Sequence, residues 1–201
     1  MATSGTTAFD LNIDEIIDEG YERCGLSTNQ GFDLRSARRS LNLLFAEWAN
    51  RGLNQWTIAQ KTIDMVKDTT SYTIDSSNAT ATIDVLDVFI RETIGSTATD
   101  VPLSRLSRAQ YAHISTKSTT GKPNQYFINK QLSPTITVWP VPDKDSTYTV
   151  YLNVLSRMDD ADVGANTMEV PFRFYPCLAA GLAYYIALKR APEKVQLLKG
   201  L

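Results

Sequence analysis

Apolar residues recur at intervals of three and four in two stretches of the chain, and at intervals of about two in the stretch between them. Ile13, Ile16, Ile17, Tyr21 and Cys24 form one helical stripe. Asn12 and Glu15 have capping-box spacing, and Gly25 stands where a left-handed stop belongs. The opposite face carries Asp14, Glu15, Asp18, Glu19 and Glu22. After a polar connector (residues 27–31), Leu34, Ala37, Leu41, Leu44, Phe45 and Trp48 form a second stripe. They predict a helix capped by Asp33 and ended by Gly52. Arg35, Arg38 and Arg39 lie largely outside that stripe, so a basic face opposes the acidic face of the first helix.

From Trp56 onward the period shortens. Residues 56–66, 71–74, 82–91, 125–128, 135–139 and 147–154 are rich in Val, Ile, Thr, Tyr and Trp and are separated by turn clusters, which predicts strands. Pro140, Pro142, Asp143 and Asp145 make residues 140–146 an expected hairpin connection. Residues 103–114 read as a short helix within this β-rich part. Helical periodicity returns over 177–189, after Pro171 and Pro176, which a helix tolerates near its first turn. A basic helix is expected from Glu193 to Leu201. Gly181 inside the third helix costs about 1 kcal/mol relative to Ala, which suggests that another backbone passes close to it. These patterns predict an α+β fold: a helical bundle formed by the N- and C-terminal helices (residues 1–54 and 168–201), with an inserted antiparallel β-rich lobe (residues 55–167).

Composition narrows function more than fold. Hydrophobic residues are 43% and charged residues 21% of the 201, as in ordinary globular proteins. Lys and Arg total 20 against 22 Asp and Glu. That balance disfavours nucleic acid or an anionic membrane as the main partner, because such binding rests on clustered positive charge. The longest apolar run, 177–188, is too short to span a bilayer. The small, polar stretch 1–7 lacks the basic and apolar regions of a signal peptide. Cys24 and Cys177 sit in apolar helical patterns without CxxC spacing and read as reduced core residues, which favours the cytosol as the place of synthesis.

Sites for chemistry are sparse in the pattern. His113 is the only histidine, and no GxSxG elbow accompanies it. No His/Cys pair has metal-ligand spacing, and no phosphate loop or GxGxxG element is present. The acidic stretch 159–164 starts like a calcium loop but lacks its glycine in register and its closing Glu, and reads as a solvated connector. Asn78-Ala79-Thr80 matches a glycosylation sequon. Trp56 and Trp139 read as packing residues before they read as stacking sites for bases or sugars. No catalytic residue, cofactor or metal is expected, and the chain is read as non-enzymatic.

The string ARRSLNLLFAEWANRGLNQW over residues 37–56 resembles head-to-tail adaptor (connector) proteins of tailed bacteriophages, of the tail tubular protein A type. So does FRFYPCLAAGLAYYIALKRAPE over 172–193, and TVWPVP (137–142) followed by Tyr148 to Tyr151 fits the same type. The resemblance implies a structural virion protein at the head-tail junction, made in the host cytoplasm. It implies a homo-oligomeric ring, usually of twelve subunits, between the portal protein and a downstream tail protein such as a nozzle, tail terminator or stopper. DNA would only pass through the lumen, and no membrane is involved. Asp14, Asp18, Glu22, Arg35, Arg38 and Arg39 become subunit-interface candidates. Glu193, Lys194, Leu197 and Leu198 become portal-facing candidates, with the two leucines as apolar anchors. The competing readings are another head- or tail-completion protein, a carbohydrate-binding host-recognition module on the β-rich lobe, and, more remotely, a hydrolase using His113.

Overall fold

The computed structural model describes residues 4–27, 31–75 and 82–199. The sequon at Asn78 and the last two residues of the expected C-terminal helix lie outside them. The fold is mixed α+β and divides into two compact units, one of Met1–Trp56 with Met158–Leu201, the other Thr57–Arg157.

In the first unit, α1 (Ile13–Arg23), α2 (Gly31–Asn50) and α4 (Tyr175–Arg190) surround one hydrophobic core. α1 forms where its pattern asks. The Asn12 side chain accepts from the Glu15 amide while the Glu15 carboxylate takes the Asn12 amide, and Gly25 follows the helix at φ +65°. Ile13, Ile16, Ile17, Tyr21 and Cys24 are all buried. α2 starts at Gly31 rather than at an Asp33 cap, so Asp33 lies inside its first turn, where a carboxylate suits the helix dipole. α4 starts from a 3-10 turn, Phe172–Phe174, with Pro176 in its first turn. Its close neighbour at Gly181 is the Leu44 side chain, not a backbone: a Cβ there would lie 2.9 Å from Leu44 Cδ2. α1 also meets α4 closely at Gly20, where a Cβ would stand 3.2–3.3 Å from the Ile186 and Leu182 side chains.

Two expectations about this unit change. Cys24 is buried, but Cys177 is exposed, because it faces the open side between α4 and α2. The C-terminal segment is a 3-10 turn at Pro192–Lys194 followed by a single helical turn, α5 (Val195–Leu198), instead of one helix from Glu193. Pro192 interrupts the ladder between α4 and α5. No helix among the described residues is long and apolar enough to cross a membrane.

The second unit holds two four-stranded sheets. β1 (Ile58–Asp64), β8 (Tyr148–Ser156), β3 (Thr82–Ile94) and β4 (Thr97–Pro102) form one, in the order β1-β8-β3-β4, all antiparallel. β2 (Ser71–Thr73), β7 (Thr135–Trp139), β6 (Gln125–Asn129) and β5 (Ser104–Leu106) form the other, in the order β2-β7-β6-β5. β5 pairs parallel to β6, so this sheet is mixed and not the purely antiparallel arrangement expected. Residues 103–114 accordingly divide: β5 comes first, then the five-residue α3 (Arg108–Ala112), capped by Ser107. Buried residues of both sheets, including Val88, Val150, Leu152, Ile136 and Val138, contribute to one core.

The turn-rich stretch 140–146 is not a hairpin. β7 pairs with β2 and β6, whereas β8 pairs with β1 and β3, so the connection carries the chain from one sheet to the other. β1 and β8 run side by side to their ends, Ile58 opposite Leu155, and the Thr57 hydroxyl donates to the Ser156 carbonyl at 2.6 Å.

Candidate assembly surfaces

The acidic stretch 159–164 shapes the surface of the helical unit, and it does so through its backbone. A helix start leaves its first amides without intrahelical partners. Here the Ile13 amide donates to the Asn166 carbonyl at 3.0 Å and the Asp14 amide to the Gly164 carbonyl at 3.1 Å. Asn42 on α2 holds Ala161 by both backbone groups, at 2.8 and 3.3 Å. Met158, Ala161 and Met168 are buried in the helical core. The stretch is therefore a clasp between α1 and α2, although Asp159, Asp160 and Asp162 keep their side chains in solvent. Hydrogen bonds from the Val163 amide and Asn166 hold the Asp162 carboxyl below the usual carboxylate range.

Arg38 is the side chain that fastens the clasp. Its guanidinium donates to Asp14 Oδ1 at 2.9 Å and to the Asp162 carbonyl at 3.0 Å. Arg38 and Asp14, two of the interface candidates, thus satisfy each other within one chain. A Cβ on Gly164 would overlap the Asp14 carboxylate. Gly164→Ala is therefore expected to turn Asp14 off Arg38 and destabilise the unit by about 1–3 kcal/mol. Because Arg38→Ala removes the same contact, chemical denaturation of the double variant should show less than the sum of the two single losses.

The other candidates separate clearly. Asp18, Glu22, Arg35 and Arg39 are exposed. Arg35 donates to the Gly31 carbonyl of its own helix, at 3.3 Å. Glu193 is exposed and Leu197 is 73% exposed, whereas Leu198 is 5% exposed and belongs to the core. Lys194 donates to the Cys24 carbonyl at 2.6 Å, a helix-end carbonyl otherwise without an intrahelical donor. Of the portal-facing set, Glu193 and Leu197 are the residues presented outward, and Leu198 cannot serve as an anchor without leaving the core.

Three side chains that the sequence pattern did not single out border an apolar groove of about 560 Å³ beside α1 and the start of α4. Phe9 and Phe172 are 62% and 65% exposed and meet edge to face with centroids 5.9 Å apart. Phe172 in turn stands edge-on to Tyr175. The Tyr175 hydroxyl donates to Asp10; burial, then that carboxylate, pushes its pKa up to about 12. Glu15, Glu19 and Arg23 of α1, the last two paired at 2.7 Å, form the groove's polar rim together with Arg173. An exposed Phe is individually unremarkable in a sequence, and only the fold brings residues 9 and 172 together.

In the β unit, His113 is exposed at the end of α3. Trp139 donates its indole N–H to the Thr116 carbonyl at 3.2 Å. In the helical unit, Trp56 packs on Phe174 and Trp48 and donates to the Glu169 carbonyl at 2.7 Å, so it is a packing residue. Among the described residues no group of three or more His, Cys, Asp or Glu could hold a metal ion.

Against protein families, a model described as SU10 adaptor protein matches residues 12–198. A search of curated proteins found no match.

Proposed function

The chain belongs to the SU10 adaptor protein family of phage structural proteins, and from that premise we propose that it is a virion protein joining the portal of the capsid to the tail. In this reading it acts at the head-tail junction as one segment of a homo-oligomeric ring, of twelve subunits in the tail tubular protein A-like arrangement. DNA passes through the lumen. The helices of residues 1–54 and 168–201 form a bundle that serves as the adaptor core and meets the portal. The β-rich lobe, expected over residues 55–167 and comprising Thr57–Arg157 in the fold, meets the downstream tail protein.

The observation that carries the reading is the extent of the family match. It runs from the cap of α1 to the end of α5 and so takes in both compact units, not one module borrowed by an unrelated protein. The exposed apolar residues of the helical unit, Phe9, Phe172 and Leu197 among them, support an assembly role. Contiguous exposed apolar surface marks interaction sites more often than idle surface.

Native mass measurement of the purified chain, alone and mixed with purified portal rings, tests the proposal. The expected result is a portal-bound species carrying about twelve copies, consistent with closed rotational assembly. A chain that stays monomeric beside the portal and leaves the portal mass unchanged would overturn it.

A further inference from the structure

Two outward sides of the helical unit carry opposite charge, and each also presents apolar side chains. On α2, Phe32, Arg39 and Leu43 are exposed. At 3.6 residues per turn they fall within roughly 20° of one stripe, on the side away from Ala37 and Leu41. Lys189 of α4 lies next to this stripe and donates to Ser40 at 2.6 Å and Ser36 at 3.5 Å. Neither Arg39 nor Lys189 has a carboxylate partner among the described residues. Burial, then the neighbouring Arg39 charge, lowers the Lys189 pKa. Two adjacent cations without a counter-charge form a surface that a carboxylate would stabilise.

The α1 side is its complement. Glu15 and Glu22 lie within roughly 20° of one another around the helix, and Asp18 lies about 40° beyond Glu22 on the same side. Glu22 is exposed and has no side-chain partner among the described residues. Glu15 borders the groove that Phe9 and Phe172 flank; of the two cations there, Arg23 is neutralised by Glu19 and Arg173 lies over the Phe174 ring, so the remaining charge on α1 is acidic. One side therefore offers carboxylates beside exposed aromatics, and the other offers cations beside Phe32 and Leu43. The two sides are different surfaces of one chain, as a head-to-tail contact requires, because such contacts pair unlike patches and close into a ring.

We propose that the α1 side of one copy, with Glu22 and the Phe9–Phe172 groove, docks on the Arg39–Lys189 side of a second copy. The inference rests on the ring reading above and names the two faces that would form its subunit contact. Asp14 and Arg38 are not part of that contact, since the chain already pairs them.

The faces can be inactivated separately. R39E/K189E reverses the basic side, and D18K/E22K reverses the acidic side. All these residues lie on the outside of the helices, and circular dichroism checks that each variant folds. Under conditions in which the wild-type chain assembles, alone or on portal rings, each variant by itself should lose assembly by roughly tenfold or more in affinity, as opposed like charges dictate. The two variants mixed should recover assembly as alternating copies, because the native acidic side of one meets the native basic side of the other and the two reversed sides also pair opposite charges. The four-fold variant, with both signs exchanged, should regain assembly. Wild-type assembly by the single-face variants, or failure of the four-fold variant to recover, would overturn the assignment of the faces and leave the ring reading intact. A wild-type chain that never assembles, even with portal present, would overturn both.

Discussion

Truncating Leu182 to alanine is expected to destabilise the helical unit by about 2–5 kcal/mol, towards the upper end of that range. Leu182 is fully buried at the centre of α4. The cost of such a truncation depends on how far the neighbours can close the void. Here they have little freedom. α1 already meets α4 through Gly20, where even a Cβ would come within 3.3 Å of Leu182. The glycine has used up the slack by which the two helices could draw closer, so most of the cavity would persist. Chemical denaturation should show a lower midpoint with an unchanged slope. Leu197→Ala, at a residue of similar chemistry with its side chain in solvent, should stay within about 0.5 kcal/mol of wild type. Equal losses at the two leucines would contradict the packing described.

Lys61→Met is expected to cost the β unit about 3–5 kcal/mol. Asp75 is 7% exposed. Its carboxylate pairs with the Lys61 ammonium and accepts the Thr82 amide at 3.0 Å, while Lys61 also reaches the Thr82 hydroxyl at 3.0 Å. Burial works to raise the Asp75 pKa, but Lys61 and Thr82 outweigh it and hold it below the ordinary value. A carboxyl whose folded pKa is depressed contributes stability that is complete above its unfolded value of about 3.9. That contribution fades as the pH falls through the folded value. Methionine keeps most of the lysine stem but leaves the carboxylate buried without its cation. The stability gap between wild type and variant should therefore be full at neutral pH and shrink on acidification, first as the unpaired Asp75 of the variant takes up a proton above its unfolded value of about 3.9, then as the wild-type pair is lost below it. A gap that widens on acidification would contradict this account.

The elements most legible in the sequence are those whose signals are local. α1 carries its capping pair, apolar stripe and glycine stop within fourteen residues, Asn12 to Gly25, and the mixed α+β character followed from the change of period at Trp56. β7, with strict alternation from Thr135 to Trp139, appears with the bounds expected. Elements fixed by distant partners were not legible. β4 reads Thr-Ala-Thr-Asp-Val-Pro, without an apolar face, and is a strand because β3 folds back on it. β5 is three residues long and depends on β6, which lies about twenty residues further along the chain. The turn chemistry of 140–146 was correctly recognised as a turn, but turn residues do not encode whether the next strand joins the same sheet or another.

The candidate surfaces show the same limit. Arg35, Arg38 and Arg39 are equivalent by composition and sit within five positions of one another. The fold gives them separate situations: Arg38 is consumed by Asp14 and the clasp, Arg35 bonds its own helix, and Arg39 stands beside Lys189 with no carboxylate partner among the described residues. Helical phase alone distinguishes neighbours by steps of about 100°. What each direction meets depends on the segment 158–168, whose packed role rests on backbone groups that carry no residue-specific signal.

The antiparallel register of β1 and β8 has a consequence for how such a protein can change over time. The chain leaves the helices at Thr57 and returns at Arg157 along two hydrogen-bonded neighbours, whose Cα atoms lie about 5 Å apart in any such pair. A two-strand stem of this kind keeps its separation however much sequence is strung beyond it. Strands can be added, deleted or exchanged distal to Ile58 and Leu155 while the gap that the helices must bridge stays constant. The residues beyond the stem can thus vary without a new helical core having to be invented each time.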